Sequence, residues 1–96
     1  MTTPHKEITS GLRFPEGPVA MPDGSLILVE IARQTLTRVM PDGKSVTQYK
    51  LPDPMVTNVC FGGKDLRTAF TTLSMTGKLV SFEWPRPGLK LNYLNK

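Results

Sequence analysis

The sequence predicts an all-β fold built from two repeats of short antiparallel strands. Three observations carry that expectation. Nine prolines and eight glycines among 96 residues demand many turns and leave little room for long helices. Short β-rich runs recur along the chain, each closed by a turn dipeptide. The two halves of the chain also superpose on one another in pattern, at an offset of 42 residues.

The elements follow in order. Pro22-Asp23-Gly24 is a turn, because proline presets the backbone, aspartate bonds the amide two residues on, and glycine accepts a positive φ. The unbroken apolar run Leu26, Ile27, Leu28, Val29 after it reads as a strand covered on both faces. Residues 35–40, TLTRVM, form the next strand, and a second turn, Pro41-Asp42-Gly43, leads to another over residues 45–51. In the second half Val80, Phe82 and Trp84 share one face, with Ser81 and Glu83 on the other. Leu89, Leu91 and Tyr93 alternate with Lys90 and Asn92 in the same way, and Pro85-Arg86-Pro87-Gly88 connects those two strands.

At the 42-residue offset Phe14 falls on Val56, Glu16 on Asn58, Val19 on Phe61, Asp23 on Asp65, Leu28 on Phe70 and Glu30 on Thr72. A one-residue slip then sets Leu36 on Leu79 and Val39 on Phe82. A period in the low forties with four short strands per unit is the pattern of a β-propeller blade. The chain is therefore expected to be one partial propeller domain over residues 1–96, with two four-stranded antiparallel blades at about 11–50 and 51–96. A plain two-sheet β-sandwich is the competing architecture.

Charge and cysteine content narrow the function classes. The net charge of +4 comes from lysines and arginines scattered along the chain, which describes a solvated surface and not a nucleic-acid track. The lone cysteine, Cys60, excludes an internal disulfide framework and fits a reducing compartment. Lying between Val59 and Phe61, it is expected to be buried. No run approaches the length of a membrane span or a signal peptide, so the expectation is a cytoplasmic protein without nucleic-acid or membrane partners.

Glu16 is the acid that stands out. In FPEGPVAMPDG, residues 14–24, it is held between Pro15 and the pair Gly17-Pro18, residues that disfavour a mid-sheet position and place it at the mouth of a strand. Asn58 takes the matching place in the second repeat, and its amide oxygen can coordinate a cation or accept from a sugar hydroxyl. The plain alternatives are a solvent-facing loop carboxylate and an amide that satisfies backbone at a strand entry. Arg33, Arg86 and Lys64 read as solvated turn charges, Trp84 as core, and His5 as part of a frayed terminus.

The stretches GLRFPEGPVAMPDGSLILVEIARQTLTRVMPDG and LPDPMVTNVCFGGKDLRTAFTTLSMTGKLVSFEWPRPGLKLNYLN resemble the opening blade and the closing segment of the senescence marker protein, gluconolactonase and luciferin-regenerating-enzyme family, the regucalcin-like propellers. Members of that family are six-bladed, so the resemblance implies an internally deleted short form that keeps the first and last blades. It implies a divalent-metal-dependent sugar lactonase. Glu16 of the EGP motif would be a ligand of one divalent cation (Ca²⁺, Zn²⁺, Mn²⁺ or Mg²⁺) over the central tunnel, and Asn58 is the second candidate metal ligand. The middle four blades, which supply the family's remaining metal ligands and substrate-gripping residues, have no counterpart here. No catalytic residue can be named.

Two isolated blades leave flat apolar faces uncovered, and repeat units of this kind ordinarily need at least three neighbours. Three copies of a two-blade chain would restore six blades, so a homotrimer acting on a small-molecule sugar lactone is one expectation, with residues 6–12, KEITSGL, completing the edge of a neighbour's last blade. The alternative is a non-catalytic truncated propeller fragment or interaction module.

Overall fold

The computed structural model describes residues 3–88. Strands β1 (Pro15–Ala20), β2 (Leu26–Glu30), β3 (Thr35–Val39) and β4 (Val46–Lys50) form one antiparallel sheet in chain order. Strands β5 (Val56–Gly62), β6 (Thr68–Leu73) and β7 (Lys78–Glu83) form a second in the same manner. The all-β expectation holds, as two antiparallel meanders of the propeller-blade kind. The strand expected over Leu89, Leu91 and Tyr93 lies outside the described residues.

The turns are made by the residues that the sequence marks. In the first, Gly24 sits at φ +85° and the Asp23 carboxylate accepts both the amide and the hydroxyl of Ser25, with Arg38 paired to its other oxygen at 2.6 Å. In the second, Gly43 sits at φ +71° and Asp42 accepts the amides of Lys44 and Ser45. Each is a short polar side chain standing in for a missing backbone acceptor. A 3-10 turn, Ile31–Arg33, joins β2 to β3 and closes on Gln34 at φ 61°.

Register refines the internal repeat. Val29 stands opposite Leu36, and Thr71 opposite Val80. The third strands therefore correspond at an offset of 44, not 43, because the hairpin between β6 and β7 is one residue pair longer than its counterpart. Leu79 consequently belongs to the face opposite the one that carries Leu36, and it is 70% exposed.

The core lies between the sheets. Ile27, Val29 and Leu36 from the first pack with Val56, Val59, Ala69 and Leu73 from the second. β1, β2 and β3 all lie against β5. Trp84, buried as expected, stands edge-on to Tyr49 of the first sheet at 4.7 Å and to Phe61 of the second at 5.9 Å, so one aromatic ring bridges both. The connection between the sheets is fixed by Asp53, which is buried and accepts the Met55 amide and the amide and hydroxyl of Thr76. Burial alone would raise its pKa, yet those hydrogen bonds hold it below the usual aspartate range.

Cys60 is exposed, against expectation. Strand alternation explains it: Val59 points into the core, so the next residue points away.

The outer face of the first sheet carries Leu28, Glu30, Thr37 and Val39, all buried. Residues 8–14 run over it. Arg13 donates its amide to Glu30, Arg33 donates to the Gly11 carbonyl, and Phe14 and Arg13 accept from the amides of Ile31 and Ala32. Glu30 also accepts from Thr37 and pairs with Arg33 at 2.7 Å. Arg33 is thus no free surface charge, as its turn position suggests, but the partner of a buried carboxylate.

Candidate functional site

Glu16 and Asn58 lie on the neighbouring strands β1 and β5. Glu16 is the second residue of β1, exposed, and opposite Val29. The segment expected to precede the sheet is therefore part of it, with a disruption: pairing slips between Glu16 and Val19. Pro18 has no amide to donate and Gly17 takes φ +59°, so the ladder bulges there, as strands do where a side chain is re-aimed.

The second repeat bulges at nearly the same point, between Val56 and Asn58. Asn58 is exposed and stands opposite Thr72. Its Oδ1 accepts the Val59 amide at 2.8 Å, and its backbone carbonyl accepts the Thr71 hydroxyl.

The strands meet at Gly17. A β-carbon on Gly17 would run into the Asn58 amide oxygen, so the residue next to Glu16 is in contact with the second candidate. Both expected site residues are therefore brought to one end of the sheet pair. Beside them runs a row of hydroxyls that sequence reasoning missed. Thr57 bonds Thr72 at 2.8 Å and Ser74 at 3.0 Å, and alternation within a strand gave no signal that hydroxyls of β5, β6 and the turn after β6 would adjoin. An open cavity of about 210 Å³, lined by Asn58, Val59, Cys60, Phe70, Thr72 and Leu79, continues from that row onto the outer face of the second sheet.

The donor set is short of a metal centre. Among the described residues no three of histidine, cysteine, aspartate and glutamate gather. A hard cation takes six to eight oxygens, or four ligands for zinc. One carboxylate and one amide that already accepts a hydrogen bond do not make such a sphere. His5 and Lys64 are exposed, and Arg86 borders a separate small cavity with Met21, Pro22, Asp23 and Pro87.

Residues 23–75, more than half of the chain, match the SMP-30/gluconolactonase/LRE-like region. The chain belongs to that family. The matched stretch includes Asn58 and begins beyond Glu16. The chain is also similar to the 6-deoxy-6-sulfogluconolactonase of Pseudomonas putida, at 38% identity over 53 residues, covering 53% of this chain and 18% of that protein. The chain thus spans less than a fifth of the curated relative's length. Among solved structures it is similar to virginiamycin B lyase from Staphylococcus aureus, with 18% identity, a TM-score of 0.48 and coverage of 77% of this chain and 28% of that one. A streptogramin B lyase gives 17% identity and a TM-score of 0.47, over 74% and 26%. Neither likeness bears on what this chain does. No helix among the described residues is long and apolar enough to cross a membrane.

Proposed function

We propose that this chain supplies two blades of a sugar-lactone hydrolase, with Glu16 and Asn58 on the wall that faces substrate. The observation that carries the reading is the contact between Gly17 and Asn58, which sets the bulged ends of β1 and β5 side by side. Family membership and the sulfogluconolactonase relative support the class of substrate. In the reaction water adds to the ring carbonyl, the ring ester C–O bond breaks, and an open-chain hydroxy acid leaves. The exposed hydroxyls of Thr57, Thr72 and Ser74 suit a polyol, since each can both donate to and accept from a sugar hydroxyl.

Glu16 is the chain's contribution to a divalent cation whose other ligands come from outside this pair of residues, and Asn58 supports it. The remaining blades come from further chain or from two more copies closing a six-bladed homotrimer; one exposed sheet face bearing Phe70 and Leu79 favours such association. The test is the opening of gluconolactone by the purified protein with Ca²⁺, Zn²⁺, Mn²⁺ or Mg²⁺ added, set beside its mass in solution. Cation-dependent turnover that Glu16→Gln removes supports the reading. A folded protein of six-blade mass that opens the lactone no faster than buffer contradicts it and favours the non-catalytic interaction module.

A further inference from the structure

Among the described residues three that are not glycine hold a positive φ: Phe14 at 51°, Gln34 at 61° and Leu66 at 62°. Two of them close turns, the Gln34 amide donating to the Ile31 carbonyl and the Leu66 amide to that of Gly63. Phe14 instead leads into a strand. It stands immediately before β1, two residues from Glu16, and is 74% exposed. A bulky side chain in the left-handed region costs free energy that glycine would not.

The backbone on either side of that φ is tied down. The Arg13 amide donates to the buried Glu30 carboxylate at 2.9 Å, the Arg13 carbonyl accepts from the Ala32 amide, and the Phe14 carbonyl accepts from the Ile31 amide at 3.2 Å. At the 42-residue offset the counterpart of Phe14 is Val56, which lies in β5 and is fully buried. The first repeat therefore exposes the residue whose counterpart the second buries. Strain that the surrounding structure holds in place, at a side chain left in solvent, implies a use for that side chain.

We propose that the Phe14 ring is the platform on which the ring of the sugar lactone stacks. The inference rests on the lactone reading and adds to it the contact that holds the substrate's apolar face. Three residues of chain, at most about 11 Å, separate Phe14 from Gly17, and Gly17 touches the Asn58 amide. Phe14 thus stands at the same end of the sheet pair as Glu16 and Asn58. The hydroxyls of Thr57, Thr72 and Ser74 offer polar contacts there. A sugar lactone carries hydroxyls around its rim and C–H groups on its two faces, so hydroxyls alone leave the faces unmatched. An exposed aromatic ring supplies the apolar surface that complements them, as binding sites ordinarily combine aromatic area with a few polar groups.

The test titrates gluconolactam, whose ring amide resists hydrolysis, into the full chain under the cation conditions of the turnover assay, with wild type beside Phe14→Gly, Phe14→Leu and Phe14→Trp. Two quantities are read by NMR: the Kd, and the upfield shift that an aromatic ring imposes on the C–H protons of a ligand stacked on it. Wild type and Phe14→Trp should both show the shift. In Phe14→Gly and Phe14→Leu the shift should vanish and the Kd should rise about tenfold, the worth of one aromatic contact. Wild type that binds the lactam without the shift, or a Kd equal in wild type and both ring-less variants, overturns the proposal and leaves the lactone reading standing. A folded wild type that does not bind the lactam overturns both. Should Phe14→Gly not fold, Phe14→Leu, which keeps an apolar side chain and loses only the ring, decides.

Discussion

The amide oxygen of Asn58 fills the space that a β-carbon on Gly17 would need. That contact joins the two repeats at the place where each one bulges. It couples backbone conformation in β1 to side-chain position in β5, so neither candidate residue's surroundings can change without the other's.

Gly17→Ala should therefore destabilise the chain by about 1–3 kcal/mol, since alanine is strained in the left-handed region and its methyl must also displace Asn58. Urea denaturation measures it. In an Asn58→Ala background the loss should shrink, because only the backbone strain is left. Equal losses in both backgrounds would show that the contact contributes nothing.

Leu36→Ala probes the shared core. Leu36 is fully buried between the sheets, and deleting such a side chain costs about 2–5 kcal/mol through lost burial and the cavity left behind. Leu79→Ala, on the open face, should cost under about 0.5 kcal/mol in the dilute chain. A reversal of that order in chemical denaturation would mean that the assignment of faces is wrong.

Glu30 sets an acid limit on stability. Its burial raises the pKa, but the Thr37 hydroxyl, the Arg13 amide and the Arg33 guanidinium outweigh that and hold it below the usual glutamate range. A carboxylate depressed in the folded state stabilises fully above its unfolded pKa, and that stabilisation is lost as pH falls through the folded one. Glu30→Gln should therefore narrow the stability gap between neutral pH and pH values below 4.5. Unfolding midpoints measured across that window give the comparison. An acid limb as steep in the variant as in the wild type would assign the loss to Asp23, Asp42 and Asp53, whose pKa values are likewise lowered.

Much of this was legible in the residues. Turn chemistry located both Pro-Asp-Gly turns, and the apolar run at residues 26–29 located β2, because these signals are local. The 42-residue offset paired Glu16 with Asn58, and the structure brings them to adjoining strands. What escaped reading depends on partners distant in the chain. Glu30 gave no sign of being a buried carboxylate, since its latches come from Arg13, Arg33 and Thr37 on separate segments. Cys60 looked apolar by its neighbours, whereas strand alternation turns it outward. The longer β6–β7 hairpin moved Leu79 to the other face, a shift that only register reveals. The hydroxyl row of Thr57, Thr72 and Ser74 likewise exists only once two strands pair.

Glu16 is exposed, so Glu16→Gln should leave the unfolding midpoint within about 0.5 kcal/mol of wild type. That makes it a clean probe of chemistry. The most direct measurement is the rate of gluconolactone opening by wild type and Glu16→Gln, with divalent cation and after chelation, at a concentration where the chain has assembled. The account predicts a rate above buffer for wild type with cation alone, falling to the buffer rate on chelation or with Glu16→Gln. Equal rates for the two folded proteins would contradict it.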